Sequence, residues 1–294
     1  MSNIRLDCAP GRVYNNGSCL YKDELQSIII EYNKQKKNYN NLKDTLSLSK
    51  NALIENVNDI MKEYECSDND QICWVGTKLV KKINNGEISG SVFKPIAPEG
   101  KYEWLSTTNI NQVLEQYTNK HPDFEFYGAL PYDFDILDEL EINNINFKDL
   151  ANKNKTKMGI VLNLDNHDEN GSHWVAIYSE LDKNRIYYFD SFGKKPGKRI
   201  RNFSNKLLKF MHSNNTNGNF NTKDFLKKYK SSHMYDIRYN KTQHQFKNSE
   251  CGVYSMNFLI RLLNGEDFDS IVDNITNDDD MNKCRNIYFQ NVNI

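Results

Sequence analysis

Residues 173–192, "HWVAIYSELDKNRIYYFDSF", hold two runs of β-branched and aromatic residues separated by the polar turn Asp182-Lys183-Asn184. So short a polar connection between two strand-like runs specifies an antiparallel hairpin. Folding near Asp182 and Lys183 opposes residues whose numbers add to about 365, so the start of one run meets the end of the other. His173 then lies opposite or diagonal to the region of Asp190. A slip of one residue flips faces, but it does not separate the two ends.

Three further runs, "FEFYGAL" from Phe124, "KMGIVLNL" from Lys157 and "MYDIRYN" from Met234, have the same strand character. Helical patterns surround them. "WLSTTNINQVLEQY" places Ile110, Val113, Leu114 and Tyr117 on one face behind a Ser/Thr cluster that can cap it. "CGVYSMNFLIRLLNG" spaces Val253, Met256, Ile260 and Leu263 by threes and fours and stops at Gly265. A last helix around "MNKCRNIYF" follows "NDDD", whose charge suits a helix N-terminus. The expected class is α+β, a mostly antiparallel sheet flanked by helices.

The first 85 or so residues differ: "KDELQSIIIEYNKQ", "NALIENVNDIMKEY" and "QICWVGTKLVKKI" are three amphipathic helical segments, the first with Leu25, Ile28, Ile29 and Tyr32 on one face. Residues 84–100, "NNGEISGSVFKPIAPEG", carry three glycines and two prolines and mark the boundary between a helical accessory domain, 1–90, and the domain 91–294.

Composition narrows the chemistry. A net charge of -1 over 294 residues gives no global attraction to nucleic acid or membrane. No apolar run approaches the roughly 20 residues that span a bilayer, and the N-terminus lacks a signal-peptide core. The chain is expected in a reducing compartment, so its six cysteines do not form a disulfide framework. Cys8 with Cys19 and Cys66 with Cys73 would close loops only under oxidising conditions. Their spacings do not match the paired C-x-x-C pattern of zinc sites, and neither metal nor cofactor is expected. Residues 194–223 contain eight Lys or Arg and no Asp or Glu. A solvated helix face is the ordinary source of such a run; a weak contact with nucleic acid is the other.

Cys251 opens its helix, where unpaired backbone N–H groups and the positive end of the dipole favour thiolate over thiol. A cysteine nucleophile needs a base, and the base needs a group to orient it. His121, His167 and His212 lie in polar loop or helix-end contexts, while His233 and His244 flank a strand without an evident carboxylate. His173, with Asp190 across the hairpin, is the candidate base. Gln245, six residues before Cys251, completes the constellation.

"SHWVAIY", "YYFDSF" and "QFKNSECGVYSMNFL" resemble the His-Trp, Asp-Ser and Gln-x5-Cys-Gly blocks of the cysteine-protease clan that contains the SUMO-specific proteases and the adenovirus-type endopeptidases. "WLSTTNI" resembles the block that opens their protease domain, and "MGIVLNLDNHDENGSHW" the strand and loop leading to their histidine. The resemblance spans about residues 100–294. It implies Cys251 as nucleophile, His173 as base and then acid, Asp190 as the orienting carboxylate and Gln245 as an oxyanion donor. It also implies Trp104 and Trp174 as walls of a narrow channel that admits glycine, with cleavage after Gly-Gly-like sites; packing within the sheet is the competing role for Trp174. Thr107 departs from the family, standing where the SUMO proteases carry an aspartate used in recognising their ubiquitin-like partner.

The helical extension resembles that of the virion-maturation proteases of large cytoplasmic DNA viruses. The expectation is therefore a cysteine endopeptidase that processes viral core polyprotein precursors, in the host cytoplasm (the viral factory) and the virion. The alternatives are an isopeptidase that removes SUMO or another ubiquitin-like protein, and an inactive scaffold.

Overall fold

The computed structural model describes residues 7–37, 42–215 and 234–292. His233 and residues 216–223 of the basic run lie outside them. The chain divides between Pro95 and Ile96 into two compact units.

In the first unit the helices Lys22–Gln35 and Lys50–Lys62 bury Leu25, Ile28 and Ile29 against Leu53, Val57 and Met61, around a fully buried Trp74. The third expected helix is two, Gln71–Gly76 and Lys78–Lys81. They break at Thr77, which turns extended and accepts the backbone N–H of Val80 on its side chain, starting the second helix with a cap. The expectation of free cysteines is overturned here: Cys8–Cys19 and Cys66–Cys73 are disulfides. Neighbours in sequence folded into one small core bring their Cα atoms to 5.4 and 5.7 Å, within bridging range. Residues 7–9 also pair with 92–94 through Ala9 N to Val92 O and Lys94 N to Asp7 O. Ile88, Val92 and Phe93 are buried in the same core, so the first half of the glycine-rich stretch is packed rather than open.

The second unit is built on a sheet that, among the described residues, has five strands in the order β1 (Phe124–Leu130), β2 (Lys157–Asn163), β3 (Trp174–Glu180), β4 (Arg185–Phe189) and β5 (Asp236–Tyr239). The antiparallel pairing runs through the centre, β2 with β3 and β3 with β4. Both edge strands add in parallel, because the segments before β2 and β5 are long enough to cross over rather than turn back. The hairpin has the register expected from its turn, with Ala176 opposite Phe189 and Tyr178 opposite Tyr187.

Alternation along the central strands separates two apolar layers. Val161, Ala176, Tyr178, Tyr187 and Phe189 face the helices Thr107–Lys120 and Cys251–Leu263. Ile160, Leu162, Val175, Ile177, Ile186 and Tyr188 face the helix Lys198–Asn215, which buries Ile200, Phe203, Leu207, Leu208 and Met211. That packing accounts for the amphipathic character of the basic run. Lys194, Lys195, Lys198, Arg201 and Lys209 are left exposed, while Arg199 pairs with Asp135. The helix Thr107–Lys120 starts at a capping box formed by Ser106 and Asn109. No helix among the described residues is long and apolar enough to cross a membrane.

Candidate active site

Cys251 is the first residue of the helix Cys251–Leu263 and carries a free, buried thiol. The helix start is pressed against the chain near Leu105. A Cβ on Gly252 would lie 3.0 Å from Leu105 Cβ and 3.3 Å from Trp174 Cδ1, so glycine is what permits the approach. Trp174 fixes the same corner by donating its indole N–H to the Leu105 carbonyl at 2.9 Å.

His173 stands just before β3 and Asp190 just after β4, so the hairpin delivers them to one end of the sheet. His173 Nε2 lies 2.7 Å from Asp190 Oδ1, and both residues are buried. The Cys251 side chain adjoins the ring. With Nε2 committed to Asp190, Nδ1 is the ring nitrogen left for the sulfur. Burial works against the imidazolium, but the hydrogen bonds and charges of Asp190 and Cys251 outweigh it and raise the His173 pKa to about 9. Phe192 stacks on the ring at 4.4 Å between centroids. Asp190 is itself fixed: Phe192 N donates to its Oδ1 at 2.8 Å, and Asn240 both accepts from its backbone N–H and donates to its carbonyl.

Gln245 is fully buried. Its Oε1 accepts from the Ser191 hydroxyl at 2.7 Å, and its Nε2 donates to the Lys247 carbonyl at 2.7 Å. It therefore joins the constellation through the residue next to Asp190. Trp104 is 46% exposed and Trp174 only 6%. Both line a cleft of about 620 Å³ together with Leu105, Thr107, Leu130 and Asn163. Trp104 is thus an open wall, and Trp174 is chiefly a packed residue whose edge reaches the cleft.

Two features escaped the sequence reading. Glu250, immediately before Cys251, forms a buried ion pair with Arg285 at 3.1 Å, and Arg285 also donates to the Glu103 carbonyl at 2.7 Å. This ties the start of the Cys251 helix to the segment that carries Trp104. A partner 35 residues away leaves no local signal. The second is His167, whose Nδ1 lies 2.6 Å from Asp133 Oδ2 at the rim of the cleft. His244 instead packs on Phe189 and places Nε2 3.2 Å from the Val272 carbonyl.

The arrangement sets a free thiol and an imidazole held by a carboxylate beside a cleft. The model of the Ulp1 protease family, C-terminal catalytic domain, matches residues 104–293. A protein of Acanthamoeba polyphaga mimivirus named as a candidate thiol protease is 33% identical over 97% of this chain and 93% of its own length. A SUMO-1 cysteine protease of African swine fever virus is 26% identical over 67% of this chain and 72% of its own. The crystal structure of the African swine fever virus pS273R protease superposes with a TM-score of 0.60, at 20% identity, over 97% of this chain and 95% of that one.

Proposed function

Since the chain belongs to the Ulp1 protease family and is a viral cysteine protease, we propose that it is an endopeptidase that cleaves core polyprotein precursors after Gly-Gly-like sites during virion maturation, in the infected cytoplasm and in the particle. The observation that carries the reading is the convergence of Cys251, His173 and Asp190 beside the Trp104 cleft. In the proposed reaction the Cys251 proton passes to His173 and the sulfur attacks the scissile carbonyl. The oxyanion that forms takes hydrogen bonds from the Cys251 backbone N–H, which as the first residue of a helix lacks an intrahelical acceptor, and from the amide of Gln245. His173 gives its proton to the departing amine. Water then enters with His173 as base, the thioester breaks, and the thiol is restored.

Trp104 and the buried Trp174 narrow the cleft on the acyl side, which favours residues without a Cβ. A contact with nucleic acid through the exposed cations of residues 194–209 belongs to the same proposal, since processing would take place beside a packaged genome. Removal of a ubiquitin-like protein is the second reading, favoured by the name of the African swine fever virus relative.

The test incubates the protein with Gly-Gly-X peptides, with precursor proteins of the same genome and with a ubiquitin-like C-terminal fluorogenic substrate, and sequences the new N-termini. Cuts after Gly-Gly in precursors, absent in the Cys251→Ala protein, are expected. Turnover of the ubiquitin-like substrate alone would transfer the assignment to the second reading, and activity retained by Cys251→Ala would end both.

A further inference from the structure

We propose that Ser191 is a positioning residue that sets the side-chain amide of Gln245 for the oxyanion, an inference that rests on the oxyanion role given above to Gln245. A glutamine amide has two ends of nearly equal shape, and only the nitrogen end donates. If it turned over, an oxygen would face the developing negative charge.

The surroundings select the useful orientation from both ends. The Lys247 carbonyl can only accept, so at 2.7 Å it must face Nε2, and it takes one of the two amide hydrogens. The Ser191 hydroxyl, buried to 1% exposure, donates to Oε1 at 2.7 Å. The second amide hydrogen is then the one left for substrate.

Ser191 is suited to this because its own backbone is immobilised. Its carbonyl accepts the N–H groups of His244 and Gln245 at 2.8 and 2.9 Å. Asp190, immediately before it, is bracketed by Asn240, whose Nδ2 also reaches the Thr242 carbonyl. One dipeptide therefore orients both halves of the machinery. Asp190 holds the base and Ser191 holds the oxyanion donor, so the two keep a fixed relation to each other.

Ser191→Ala removes one oxygen and leaves these backbone bonds in place. In the full-length protein acting on a Gly-Gly peptide, it should lower kcat about tenfold with KM unchanged, a part of the roughly 10²–10³ that an oxyanion donor supplies. Gln245→Ala should show the full loss, and the double variant should be no slower than Gln245→Ala alone, because Ser191 acts only through that amide. Losses that multiply in the double variant, or a Ser191→Ala effect confined to KM, would overturn the inference. An unchanged kcat in Gln245→Ala would overturn the oxyanion role instead.

A second measurement needs no turnover. In the Cys251→Ala protein the two side-chain amide protons of Gln245 should give sharp, distinct NMR signals that exchange slowly with water. Ser191→Ala should broaden them and speed exchange while the rest of the spectrum shows an intact fold. Signals unaffected by Ser191→Ala would sink the positioning role whatever the kinetics show.

Discussion

At the scale of single residues, the raised pKa of His173 sets a pH dependence whose sign is fixed. The folded protein holds this proton more tightly than the unfolded chain, so the stabilisation is fully present below about pH 6.5 and is lost as pH rises through about 9. Peptide turnover should fall over the same upper range, because the leaving amine needs the imidazolium proton. Asp190→Asn removes one of the groups that hold the pKa up, so in a pH–rate profile it should move the alkaline limb to lower pH as well as reduce the plateau; a limb that stayed in place would refute the assigned cause. Glu250 makes a separate prediction. Arg285→Ala would leave the Glu250 charge buried beside Cys251 with only the hydrogen bonds of Ser249 and Asn282, which should cost about 3–5 kcal/mol in urea unfolding. A loss below about 1 kcal/mol would show that those neutral donors, with water, satisfy the carboxylate.

At the scale of elements, the hairpin was legible because a short turn leaves little freedom of register, and that register is what unites His173 with Asp190. The edge strands were less legible, since a strand sequence does not state which neighbour it joins or in which direction. The two tryptophans show the same limit. The resemblance assigns Trp104 and Trp174 to the same wall, with sheet packing as the competing role for Trp174, whereas burial makes one half open and the other a buried member of the core. Trp174→Ala should therefore destabilise the fold by about 3–5 kcal/mol, while Trp104→Ala should barely move the melting temperature and should instead raise the rate on Ala-Ala peptides relative to Gly-Gly. Thermal melts of both variants, with those two peptides, check this. Equal losses of stability would place the two residues back on the same footing.

At the scale of the whole molecule, the described structure shifts the vulnerable connection. Ile83, Ile88, Val92 and Phe93 are buried in the first unit, whereas Ile96 and the run from Glu99 to Trp104 are exposed. Limited trypsin digestion should cut after Lys101 and spare Lys81 and Lys82; early cleavage at the latter pair would mean that the packing of Ile83, Ile88, Val92 and Phe93 is not maintained. The two disulfides close loops with sequence separations of 11 and 7, each worth about 2–3 kcal/mol by chain entropy. Adding dithiothreitol should lower the unfolding temperature of the first unit, and an unchanged melt would return Cys8, Cys19, Cys66 and Cys73 to free thiols.

The sequence by itself determined what depends on local periodicity and chain proximity: the α+β class, the strands, and the hairpin that pairs His173 with Asp190. It also carried the residue types of an acyl-transfer site in a recognisable order. Only the tertiary structure decided the parallel edges of the sheet, the Glu250–Arg285 pair, the bracket around Asp190, and the hydroxyl that turns the Gln245 amide. Each of these joins groups far apart in the chain, and each depends on burial. In water such contacts are worth little, and their value comes from the low-dielectric interior that the assembled fold creates.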